Sequence, residues 1–111
     1  MLYLALALFA LAAVLGFYLL SFVLQSKETP KGVAFTHGPV AALGLIILII
    51  YAIFYSPAPI LSIVIFVLAA LGGSVLIYRD LTGQSLPKWM ALGHGLVALT
   101  GFITLVIFMF T

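Results

Sequence analysis

Residues 30–44 read PKGVAFTHGPVAALG and residues 87–101 read PKWMALGHGLVALTG. The two stretches share the pattern PKxxAxxHGxVAxxG without a gap, 57 positions apart (87 − 30), and the chain's only two histidines, His37 and His94, fall at the same place in each. Aligning 1–54 with 58–111 gives about 19 identities, among them Leu11-Ala12-Ala13 with Leu68-Ala69-Ala70 and Gly16 with Gly73. Apolar composition inflates such a count, so the weight rests on the rarer matches: Gly16, Pro30, Lys31, His37, Gly38 and Gly44 with their partners. The expectation is one domain over 1–111 made of two tandem repeats, 1–54 and 58–111.

Composition sets the class. With 67% hydrophobic and 5% charged residues in 111, and a mean hydropathy of +1.46, the chain has too little polar surface to cover a soluble globule. A lipid bilayer is the implied surrounding. A formal charge of +2 leaves no basic footprint for nucleic acid, and the absence of cysteine excludes disulfides, iron–sulfur clusters and thiolate metal sites.

Four apolar stretches, 2–24, 33–55, 59–78 and 89–110, each have about the 20 residues that cross a hydrocarbon core of about 30 Å. The first does not read as a signal peptide, because Met1-Leu2-Tyr3 offers no basic start and the apolar run is long. Short links force antiparallel neighbours, so the predicted fold is all-α: an up-down-up-down bundle of four transmembrane helices, formed by two parallel helical-hairpin repeats. All four basic residues, Lys27, Lys31, Arg79 and Lys88, lie in the links 25–32 and 79–88. By the positive-inside rule those links are cytoplasmic and both termini are not, with Trp89 as an interfacial anchor. The expected location is a bacterial inner membrane.

The second and fourth helices carry the candidate site. His37, Ala41, Gly44 and Leu48 lie on one helical face, and His94, Ala98, Gly101 and Leu105 repeat it, so small side chains lie below each imidazole. They either let helices touch or leave a slot for something planar. Ala12 with Gly16, and Ala69 with Gly73, read as ordinary helix packing. In a square bundle the second and fourth helices are diagonal, with axes roughly 12–14 Å apart. Two imidazoles at one depth across that gap suit a shared metal better than a mutual hydrogen bond. Zinc would want a third and fourth ligand. A porphyrin brings its own four, and its carboxylates could reach Lys31, Lys88 or Arg79 at the charged end.

In the His37-Gly38 and His94-Gly95 segments and in its bundle layout, the chain resembles the small four-helix membrane b-type cytochromes. That resemblance implies heme b, with His37 and His94 as metal ligands. With the small residues of the two faces and the cations at the charged end, the expected cofactor contacts are Gly38, Gly95, Ala41, Ala98, Gly44, Gly101, Lys31, Lys88 and Arg79. One histidine pair in place of two departs from the larger transmembrane electron carriers and puts a full path across the bilayer in doubt. The stretch LPKWMALGHGLVA also resembles the ends of small bacterial four-span membrane proteins, a likeness that implies no function.

Competing readings stand beside heme handling or electron transfer to a redox partner. Each histidine could bond a backbone carbonyl or reach the interface, in a non-catalytic membrane subunit or assembly factor. Alternatively, it could serve as a proton site in a small transporter. The carboxylates Glu28 and Asp80 occupy non-equivalent positions in the links, where Arg79-Asp80 is expected to cap and anchor the third helix. Ser21, Ser74, Thr100 and Thr104 are expected to bond back to their own helices. Enzymatic chemistry is therefore not expected, whereas a homo-oligomer is plausible for so small a bundle. Pro39 has no counterpart in the second copy, where Leu96 stands. It predicts either a helix that begins only near Gly38, with His37 at its cap, or a bent first turn.

Overall fold

A computed structural model describes all residues 1–111 and contains four helices: α1 (Leu2–Leu24), α2 (Lys31–Phe54), α3 (Ile60–Leu81) and α4 (Lys88–Phe110). The helices have 22 to 24 residues, about 33–36 Å at 1.5 Å per residue, which is enough to cross the apolar core of a bilayer. Neighbours are α1–α2, α2–α3, α3–α4 and α4–α1, so α2 lies diagonally opposite α4 and α1 opposite α3. Each sequential hairpin packs more closely within itself than against the other hairpin.

Local chemistry sets the helix ends. Pro30 and Pro87 cap α2 and α4 in extended conformation (φ −69°, ψ 115° and φ −61°, ψ 131°), so both helices begin at a lysine, one or two residues before the apolar stretch suggests. The ends of α1 and α3 turn identically. Lys27 N–H donates to the Phe22 carbonyl and Ser26 N–H to that of Val23; Gln84 N–H donates to Arg79 and Gly83 N–H to Asp80. These are Schellman turns whose pivots are left-handed, Ser26 at φ 56° and Gly83 at φ 76°. Glycine adopts that conformation without steric penalty, whereas serine does so less readily.

Pro39 lies inside α2, which runs unbroken from Lys31, so His37 is not at a cap. Proline removes only the bond that its N–H would make to the Phe35 carbonyl. Its ring faces outward on an exposed position, where it meets no neighbouring helix.

Only 14 of 111 residues are buried although 67% are hydrophobic, so most apolar side chains face outward, around the whole girth of the bundle. With four helices long and apolar enough to cross a membrane, that distribution defines a small four-span membrane protein. Its centre is a parallel stack of Phe9 and Phe66, with ring centroids 3.8 Å apart, joined by Ala5, Leu48 and Leu105. On the same level Ser62 and Thr104 share a hydrogen bond of 3.0 Å. Thr104, like Ser21, Ser74 and Thr100, also donates to a carbonyl of its own helix.

At the charged end the first link is tied to α3. Thr29 donates to Asp80 Oδ2 at 2.5 Å, and Lys31 Nζ donates to Asp80 Oδ1 at 2.7 Å and to Thr29 Oγ1 at 2.9 Å. Asp80 thus fastens one hairpin to the other, a longer-range task than the capping role its neighbour Arg79 suggests. Arg79 Nε donates to the Ser85 carbonyl at 3.1 Å and folds the last link back on its own helix.

Candidate paired-histidine site

Each histidine stands six residues into its helix, about 9 Å along the axis from the lysine that starts it, so the two lie at one depth. The His37 Nδ1 is 2.8 Å from the Ala12 carbonyl of α1, and the His94 Nδ1 is 2.8 Å from the Ala69 carbonyl of α3. A carbonyl can only accept, so Nδ1 carries the proton in both rings and Nε2 keeps its lone pair in the neutral imidazole. Neither Nε2 has a hydrogen-bond partner in the chain. Every fully buried polar side-chain atom does have one, so each Nε2 keeps part of its surface unburied.

The seat of each imidazole is a glycine. A Cβ at Gly16 would lie 3.0 Å from His37 Cε1, and one at Gly73 would lie 3.0 Å from His94 Cε1. Ala12 and Gly16 are one turn apart on α1, as are Ala69 and Gly73 on α3. One residue supplies the acceptor and the next small one leaves room for the ring. The two ring centroids are 6.2 Å apart and their planes are nearly perpendicular, at 88°.

Several residues of the predicted face take other places. Gly44 receives the Phe9 ring, whose nearest atoms would be 3.2 Å from a Cβ there, and Gly101 receives the Phe66 ring at 3.1 Å. The space below the imidazoles is therefore filled by the stacked phenylalanines and is not a slot. At Gly38 and Gly95 a Cβ would meet nothing within 4 Å, so both border open surroundings. Ala41 and Ala98 are half-buried. Lys31 is held by Asp80 and Arg79 by Ser85, which leaves Lys88 as the uncommitted cation of the three.

The contacts that the sequence does not assign are the carbonyls of Ala12 and Ala69, the glycine seats Gly16 and Gly73, and the Phe9–Phe66 floor. Their signal is nonetheless present: 9 with 66, 12 with 69 and 16 with 73 all match at the same 57-residue spacing as the histidines.

Adding a methyl group at either seat has a defined consequence. Gly16→Ala or Gly73→Ala forces the ring to move by a few tenths of an ångström against a hydrogen bond that holds it. The expected destabilisation is about 1–3 kcal/mol, the usual cost of overpacking. It would be read as an earlier unfolding midpoint in mixed micelles, whereas Gly38→Ala and Gly95→Ala, with room for the methyl and a better helix former in place, do not lower the midpoint.

No group of three or more His, Cys, Asp or Glu side chains stands close enough to hold a bare metal ion. The chain matches no family model, no curated protein and no solved structure. Fold and site together define a four-span membrane protein with a symmetric pair of imidazoles across one diagonal of its bundle.

Proposed function

We propose that this protein binds one b-type heme between His37 and His94 and serves in electron transfer or heme handling at the membrane. The observation that carries the reading is the matched pair of imidazoles, at one depth, each held by an Nδ1–carbonyl bond of 2.8 Å and with ring centroids 6.2 Å apart. The Nδ1–carbonyl bonds support the same reading, because a ligating histidine commonly donates its other nitrogen to a fixed acceptor that sets tautomer and orientation.

The donor set fits a heme better than a bare ion, since two protein ligands complete an iron that already holds four porphyrin nitrogens. When bound, the heme would supply one-electron chemistry. The chain's own residues would fix the tautomer of each imidazole through its Nδ1–carbonyl bond and leave each Nε2 without a hydrogen-bond partner. The groove beside His94, lined by Gly72, Trp89, Met90 and Gly93 among others, has a volume of about 210 Å³, below the roughly 300–1,000 Å³ of ligand sites. A macrocycle would therefore have to widen this groove to enter it. The matched environments of the histidines also support an origin by duplication of one hairpin. Under the positive-inside rule the charged end, and the site near it, would face the cytoplasm.

One observation favours a second reading. The same Nδ1–carbonyl bonds fasten α2 to α1 and α4 to α3, which would suffice for a non-catalytic membrane subunit. Titration with hemin of protein purified in mild detergent separates the two. The heme reading expects saturation at one heme per chain, with a low-spin Soret band and a sharp α-band on reduction. A preparation that stays colourless overturns it and leaves the packing role.

A further inference from the structure

The charged end of the bundle treats its lysines unequally. Lys31 is neutralised by Asp80, and this is the chain's only salt bridge. Lys88 starts α4 as Lys31 starts α2, but the position matching Asp80 in the first half is Val23 (80 − 57), so Lys88 has no such acid. Lys27 is also without a carboxylate partner.

Both free lysines line a cavity of about 410 Å³ between the first and last links, within the size range of small-molecule sites. Only two of its 12 lining residues are hydrophobic, and Ser26, Gln84 and Ser85 add polar groups. Three lysines against two carboxylates, Glu28 and Asp80, leave one net positive charge. That balance complements a single negative charge. The cavity lies level with the starts of α2 and α4, where lipid headgroups meet a membrane-spanning bundle, and its two apolar members are the buried Val23 and the half-buried Leu86.

We infer that this cavity binds one phosphodiester headgroup of an anionic membrane lipid, with Lys27 and Lys88 as its cations and Glu28 opposing it. A phosphodiester carries the one negative charge that the cavity balances, and its acyl chains would stay in the surrounding bilayer. The inference does not depend on heme.

Native mass spectrometry of protein never exposed to hemin, in neutral detergent with added lipid, tests it. Phosphatidylglycerol should be retained saturably at one per chain, with phosphatidylcholine and diacylglycerol retained far less. Lys27→Gln and Lys88→Gln should each lower retention about fivefold, in line with the contribution of one lysine near an anionic headgroup. Lys88→Arg should keep it, and Glu28→Gln should raise it. Circular dichroism of the same samples shows whether a variant has kept its helices. Equal retention of diacylglycerol, or indifference to both lysine changes in helical protein, overturns the inference. Displacement of the lipid by millimolar inorganic phosphate would show that the cavity reads free phosphate, and would overturn the lipid assignment.

Discussion

His37→Ala and His94→Ala are each expected to abolish the low-spin heme spectrum, and to the same extent. The two imidazoles are held by equivalent bonds, 2.8 Å from Nδ1 to a carbonyl of the preceding helix, and seated on equivalent glycines. Neither is positioned as an auxiliary to the other. Removing one histidine would leave a heme with one imidazole ligand, so its spectrum should become high-spin and its affinity should fall by at least about 100-fold, the upper end of what loss of a mere supporting partner costs. The alanine variants should still fold. The carbonyls of Ala12 and Ala69 lie in mid-helix, where their own helices also supply donors, so losing the imidazole N–H costs about 1 kcal/mol. Added imidazole should restore the low-spin spectrum in either variant by filling the volume the side chain vacated. If one variant kept the native spectrum while the other lost it, the metal would not lie between the rings.

The parts of the molecule that depend on local chemistry are legible in the sequence. Uninterrupted apolar runs mark the four spans, and short links with prolines and lysines mark their order and their charged end. Helix ends shift by only a few residues, the largest change being the three added at the end of α3 by the turn at Gly83. Pro39 looks in the sequence like a threat to His37, but proline disrupts a helix through a lost donor and a clash confined to its own outer face. The inward face of α2 continues past it.

What stays hidden depends on which backbone atom meets which side chain. A carbonyl acceptor has no sequence signature, so nothing in Ala12 or Ala69 announces that it will receive a histidine. A glycine that seats an imidazole, as Gly16 does, looks the same as one that admits a neighbouring helix. Gly44 shows the converse: expected to clear space for a ligand, it admits the edge of Phe9. The Thr29–Asp80–Lys31 cluster is hidden for another reason, because Asp80 and Thr29 break the repeat and reasoning by symmetry passes over them.

Phe66→Ala is expected to give the largest loss of stability of any single apolar substitution, with Phe9→Ala close behind. Phe9 and Phe66 are 5% and 6% exposed, stack across the α1–α3 diagonal, and each presses on a glycine of the adjoining helix. Together they connect all four helices. In water-soluble cores such a truncation costs about 3–5 kcal/mol. In a bilayer the expelled surface gains less from burial, because lipid is as apolar as the core, so packing is the main term and about 3 kcal/mol is the expected figure. The double variant should cost less than the sum of the singles by about 0.5–1.5 kcal/mol, the coupling typical of an aromatic pair. Reversible unfolding in mixed micelles measures all three. The stack lies below the imidazoles and touches neither Nδ1–carbonyl bond, so hemin affinity should change far less in Phe66→Ala than in His94→Ala. A Phe66→Ala variant that kept its unfolding midpoint would mean that the centre of the bundle is held by the hairpin contacts alone. One that lost stability and heme binding together would mean that the stack fixes the depth of the histidines as well as the packing of the four helices.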